Sequence, residues 1–194
     1  MSTAKKREFI TALQYLESEK ISEFKREYAD GQVYAMAGGS KNHDTISTTV
    51  LRNLGNHLEN STCRPCGPDL SIKTSTDSFR YADGMVVCEE SGGSHYTQSP
   101  VIIVEVLSKS TRHIDKGVKL LEYINMPSLQ EYVMIEQDFV SIDVLRKSEG
   151  WILRNYTLGD DLHFASIDLT LSVADIYHRV ENEDMLAFLA NESK

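Results

Sequence analysis

Two acidic residues stand where acids are costly to place. Asp83 lies in the strand-like run over residues 81–87 (YADGMVV), and Glu105 lies in the run over 101–107 (VIIVEVL). Glu105 is the one charge in its run, and a run that apolar reads as a strand buried on both faces. An ionised carboxylate there is strongly disfavoured unless a cation or a hydrogen-bond donor meets it. Two such acids on neighbouring strands can hold a divalent metal. Phosphodiester hydrolysis uses that arrangement: the metal neutralises charge and lowers the pKa of an attacking water. A lysine then orients the water or stabilises the developing charge. On this reading Asp83 and Glu105 are the metal ligands, with Mg2+ or Mn2+ as the ion. A buried acid network without metal is the alternative.

These acids must be positioned by the elements around them. Residues 7–28 read as one or two short helices broken near Ile21-Ser22, with Ser22 as an N-cap. Asp30-Gly31 is a turn, and QVYAMA over 32–37 a short strand. After Gly38-Gly39, Ser40 or Asn42 caps a helix running to about residue 60, whose apolar face is Ile46, Val50, Leu51, Leu54 and Leu58. Gly38–Lys41 lacks full phosphate-loop spacing and reads as a turn. Residues 63–73 form a strand region. Within it stands the Pro-Asp pair Pro68-Asp69, where alternation turns Asp69 toward solvent. A helix over 114–123 comes after the Glu105 strand and stops before Pro127. Residues 131–136 and 140–146 make a hairpin, 151–158 a further strand, and Ser172 opens a helix to about residue 190. The alternation of VSIDVLR gives its strand one wet face, near a sheet edge. The architecture is α/β: one domain, 1–194, a mixed central sheet flanked by helices, with its core over about 22–158.

Several blocks, in order and spacing, resemble one family. EYADGQVYAMAGGSKNH, YADGMVVC, VIIVEVLSKST, DKGVKLLEY and MPSLQEYVMIEQ are similar to the Uma-two family of restriction-endonuclease-like proteins, in the PD-(D/E)XK nuclease superfamily. The similarity spans residues 24–146. It implies a restriction-endonuclease-like fold and a metal-dependent DNA endonuclease. A non-catalytic DNA- or protein-binding module on the same fold stands beside it. It implies a third acid, Glu27 on an early helix, against the plain reading of a surface glutamate. His43 falls where the family tends to carry a histidine.

The chain departs from the family in two places. Ala82 stands for the motif's proline, and Leu107 for its lysine; Gln32 also stands where the family often has glutamate. The block D-x-G-x-K puts the replacement lysine at Lys119, with Lys116 in reserve. Helical phase disagrees. Ile114, Gly117, Val118, Leu120, Leu121 and Ile124 form one apolar arc, and Lys119 lies opposite its centre. The catalytic set is therefore Glu27, Asp83, Glu105 and Lys119.

Composition bounds the remaining choices. Hydrophobic residues make up 41% and charged residues 25%, as in globular domains. No apolar run reaches a membrane span, and the N-terminal stretch has no secretory pattern, so the expected location is cytoplasmic. Cys63, Cys66 and Cys88 are an odd count, and no disulfide is expected. Cys63-Arg64-Pro65-Cys66 reads as structural, against a redox dithiol or a half zinc site with His57. The net charge is −9, which opposes nucleic-acid binding. From residue 159 onward, however, eight acids face two bases, so the tail carries six of those nine charges. Lys109, Arg112, Lys116 and Lys119 flank the proposed site. A DNA role and a merely solvated charge pattern both remain open. Cutting both strands of a symmetric duplex favours a homodimer.

Overall fold

The computed structural model describes residues 9–36, 38–74 and 77–192. Helix α1 (Ala12–Glu19) starts in a capping box between Thr11 and Gln14. Strands β1 (Arg26–Ala29) and β2 (Gln32–Ala35) form a hairpin around Asp30-Gly31, both at positive φ. Helix α2 (Lys41–Leu58) is capped by Ser40, whose Oγ accepts the His43 N–H. Then come β3 (Arg64–Cys66), β4 (Ser71–Lys73), β5 (Phe79–Arg80), β6 (Gly84–Val87), β7 (Gly92–Gly93), β8 (Tyr96–Thr97) and β9 (Pro100–Leu107). The crossover back to the sheet is helical: α3 (Arg112–Ile114), a π turn over Asp115–Lys119, and α4 (Leu120–Ile124). The rest comprises β10 (Glu131–Glu136), β11 (Ile142–Arg146), β12 (Leu153–Tyr156), β13 (Asp161–Phe164), β14 (Leu169–Ser172), α5 (Val173–Ile176) and α6 (Glu183–Glu192).

One mixed sheet runs β12-β11-β10-β9-β6-β3, and a second runs β2-β1-β5-β4-β8-β7. In the first, β9 is parallel to β10 and antiparallel to β6, so the 112–124 segment is the helical crossover of a βαβ unit. Both faces of β9 are covered. Ile102, Val104 and Val106 pack with α2 residues Ile46, Val50 and Leu54. Ile103 and Leu107 face the other way, with Tyr123, Met126 and Tyr132. Glu105 shares the parity of Ile103 and Leu107, so it points beneath the crossover helix.

Several expectations change. Residues 26–28, read as helix, belong to strand β1. Ser22 caps no helix; its Oγ donates to the Phe24 carbonyl. Residues 7, 8 and 37 of the expected N-terminal elements lie outside the described residues. The face of 140–146 expected to be wet is largely covered: Asp143 on it is buried against Lys116 and Asn155. Strand β11 does lie near an edge, one strand in from β12. The C-terminal helix is two short helices separated by a turn with Arg179 at φ +67°, and a β13–β14 hairpin precedes them. A disulfide joins Cys63 to Cys88, against expectation. The β3–β6 ladder pairs Arg64 with Val87, so one further register step sets Cys63 opposite Cys88. Cys66 packs in the core as a free thiol, and His57 bonds the Ile167 carbonyl, so no zinc or dithiol site forms there.

Candidate active site

The acids converge where the two sheets meet the crossover helix. Asp83 occupies the bend just before β6 rather than the strand itself. The neighbouring Gly84 lets α2 pack close, since a Cβ there would lie 3.2 Å from Leu51, tighter than ordinary packing. Asp83 Oδ2 accepts the Val106 N–H at 2.7 Å, which fixes it beside Glu105 on β9. The same oxygen lies 3.2 Å from His43 Nε2, on the first turn of α2. That hydrogen bond raises the His43 pKa against the opposing effect of burial.

Glu27 is on β1, not a helix. Its Oε1 accepts the Tyr81 N–H at 3.2 Å, and its Oε2 accepts from Arg80 Nη1 at 3.1 Å. Arg80 in turn clamps Glu122 of α4 with two bonds of 2.7 Å.

Lys119 joins the set. Its Nζ lies 3.1 Å from Glu105 Oε1, 3.2 Å from Glu27 Oε1 and 3.1 Å from Asp115 Oδ1. Asp115 Oδ1 has the ion-pair distance without hydrogen-bond geometry, and no other partner among the described residues. Lys119 is 6% exposed and Glu105 3%. Tyr123 completes the floor, its hydroxyl donating to Glu105 Oε1 at 3.0 Å. Burial, and then the acids Asp115, Asp83 and Glu27, raise the Glu105 pKa well above the carboxylate range, with Lys119 opposing. Burial disfavours the Lys119 ammonium, but Glu105, Glu27 and Asp115 outweigh it and hold that pKa well above lysine's usual value. Lys119 is therefore held as an ammonium that the buried acids share.

Lys119 turns inward, against its phase in a regular helix, for a physical reason. A π turn takes in an extra residue and rotates the helix beyond it. The inward face becomes Asp115, Lys119, Glu122, Tyr123 and Met126. Much of the arc expected to pack on the sheet turns out, with Val118 45% and Leu121 58% exposed, while Leu120 stays against the core. Lys116 is on the outer side, pairing with Asp143 at 2.8 Å and Glu136 at 3.4 Å. Asp69 faces solvent and pairs with Lys25.

All four expected residues thus line one cleft of about 860 Å³, together with Asp115, His43 and the Gly38–Ser40 loop. Sequence reasoning missed Asp115, Arg80, Glu122 and Tyr123. The signal was the spacing Asp115, Lys119, Glu122, Tyr123, which reads as an ordinary solvated stripe. As metal donors, Asp83 and Glu105 offer carboxylate oxygens in the cleft. Magnesium commonly takes one or two carboxylates, with water and phosphate oxygens completing its shell. Among the described residues no three His, Cys, Asp or Glu side chains group to hold an ion. The pair fits that sparse mode of binding.

Residues 12–174 match the sequence model of the Uma2 family, described as "Putative restriction endonuclease". The chain belongs to the Uma2 family. Two relatives in Synechocystis share its sequence. Uncharacterized protein slr1290 is 37% identical over 169 residues, covering 84% of this chain and 89% of its own. Uncharacterized protein sll1609 is 30% identical over 151 residues, covering 74% and 85%. The fold resembles the crystal structure of "a putative nuclease belonging to DUF820" from Anabaena variabilis. The TM-score is 0.72 at 18% identity, over 87% of this chain and 97% of that one. The restriction-endonuclease-like α/β fold expected for a Uma2 protein is the fold found. No helix among the described residues is long and apolar enough to cross a membrane.

Proposed function

We propose that this Uma2 protein is a Mg2+- or Mn2+-dependent DNA endonuclease whose active site is the cleft floored by Glu27, Asp83, Glu105 and Lys119. One observation carries the reading: Lys119 places an ammonium 3.1 Å from Glu105, supplying from the crossover helix the charge that Leu107 lacks. Asp83 and Glu105 would hold the ion. The ion, when bound, supplies a lowered water pKa and charge neutralisation at phosphorus. Lys119, fixed by three acids, directs positive charge at a phosphate oxygen. Asp83 is oriented by the Val106 amide and Glu105 by the Tyr123 hydroxyl, so neither carboxylate needs to reorganise. The family description and the nuclease-like neighbour agree with this chemistry.

A second reading has one observation in its favour. Lys119 already neutralises Glu27, Glu105 and Asp115, which suits a non-cleaving module on the same fold. Incubating the protein with linear, supercoiled and single-stranded DNA under Mg2+ and under Mn2+, with Glu105→Gln as control, separates the two. Metal-dependent cleavage absent from the control supports the nuclease. Absence of cleavage on every substrate leaves the module. The nuclease reading extends to a homodimer, which brings two clefts to the two strands of one DNA. A monomeric mass by light scattering at micromolar concentration would count against the dimer.

A further inference from the structure

The wall of the cleft beside the acid cluster is apolar and aromatic. Tyr34 of β2 is the cross-strand partner of Glu27. In an antiparallel pair, directly opposed side chains share a sheet face. Tyr34 therefore stands on the face that carries Glu27, and Met36 lies on the same parity. The opposite face of this hairpin, Tyr28 and Val33, packs into core with Tyr15 and Phe79. Tyr34 is 46% exposed and Met36 39%, and both line the cleft. The Tyr34 hydroxyl donates to Gln32 Oε1 at 3.3 Å, which ties the ring to its own strand. Val118, on the outer side of the π turn, lines the same cleft.

The charges point the same way. His43, Arg80 and Lys119 line the cleft, and each is paired with acids. Among the described lining residues, Lys109 is the basic side chain with no acid partner. A surface that tracks a duplex needs cations along its phosphates. A surface that takes an unpaired strand combines cations for its backbone with an aromatic face for its bases, and Lys109 and Tyr34 line this cleft as one of each. We infer that the Tyr34–Met36 wall is a stacking platform for an unpaired nucleobase next to the phosphate at the acid cluster, so each cleft takes a single strand of nucleic acid. This inference rests on the nuclease reading and names the substrate form for it.

The experiment is fluorescence anisotropy in chelator, where nothing is cleaved. The probes are a short fluorescein-labelled single-stranded DNA and a hairpin duplex containing the same sequence. The protein is compared with Tyr34→Ala and Tyr34→Phe. The single strand should bind more tightly than the duplex. Tyr34→Ala should weaken single-strand binding at least about fivefold, the lower end of what one stacked base contributes. Tyr34→Phe keeps the aromatic face and should retain binding. If the duplex binds as well as the single strand and Tyr34→Ala changes nothing, the stacking platform is overturned while the nuclease reading stands. If neither DNA binds in chelator, nor with Ca2+ filling the acid cluster in place of Mg2+, the nuclease reading falls and this inference falls with it.

Discussion

The ammonium of Lys119 lies 3.1 Å from the carboxylate of Glu105, across fourteen residues of chain, and both are almost fully buried. Glu27 and Asp115 share the same ammonium. Removing it leaves Glu105 and Asp115 with no counter-charge, while Glu27 keeps Arg80. Lys119→Met should cost about 3–5 kcal/mol of stability, the usual penalty for breaking a buried pair from one side. Lys116→Met should cost less, about 1 kcal/mol, because Lys116 is partly exposed and its acids keep Arg112 and Asn155. Urea unfolding of both variants checks the contrast. Equal losses would show that the two lysines occupy equivalent surroundings.

Asp83→Asn and Glu105→Gln keep volume and each keeps an oxygen acceptor, for Val106 N–H and for Tyr123 hydroxyl respectively. Both variants should fold. Each removes one of two charged donors, so Mg2+ or Mn2+ affinity measured by calorimetry should fall at least about tenfold, as is typical when a metal shell is weakened. Unchanged affinity in both would place the ion elsewhere.

Much of this site was legible because two of its acids sit in or directly before apolar strands. Glu105 stood out as a charge in VIIVEVL, and its burial follows from that run alone. Asp83 stood out by its place before a second apolar run. Lys119 could not be placed by periodicity, since a regular helix turns it away and only the π turn brings it in. Glu27 was assigned its role by resemblance, yet on the wrong element, because REYA is too short to show period-2 alternation. The Arg80–Glu122 pair joins two charges 42 residues apart, and nothing local in either segment marks the other. The disulfide was hidden for the same reason: it depends on the β3–β6 register, a long-range fact.

The His43–Asp83 pair predicts a pH dependence with a definite sign. Asp83 raises the His43 pKa in the folded protein above its unfolded value. The stabilisation is then fully present below the unfolded pKa, about 6.5, and is lost as pH rises through the folded one. In chelator, the wild-type advantage over His43→Gln in urea unfolding should be larger at about pH 5.5 than at about pH 9. An advantage that grows toward alkaline pH would contradict the pairing.

Arg80 offers the sharpest test of the buried charge network. Its guanidinium binds Glu122 bidentately at 2.7 Å and reaches Glu27 at 3.1 Å, all within the interior. Arg80→Met should cost about 3–5 kcal/mol, because two buried carboxylates lose their partner. Arg80→Lys should recover only part of this, since an ammonium cannot reproduce the planar two-bond clamp. Adding Glu122→Leu to Arg80→Met removes one stranded charge, and replacing both partners by apolar groups is often close to neutral. The double variant should therefore be more stable than Arg80→Met alone, with a coupling of about 1–3 kcal/mol. Full recovery is not expected, because Glu27 keeps only the Tyr81 amide and Lys119. Strictly additive losses in the urea cycle would show that Glu122 draws its stability from other neighbours.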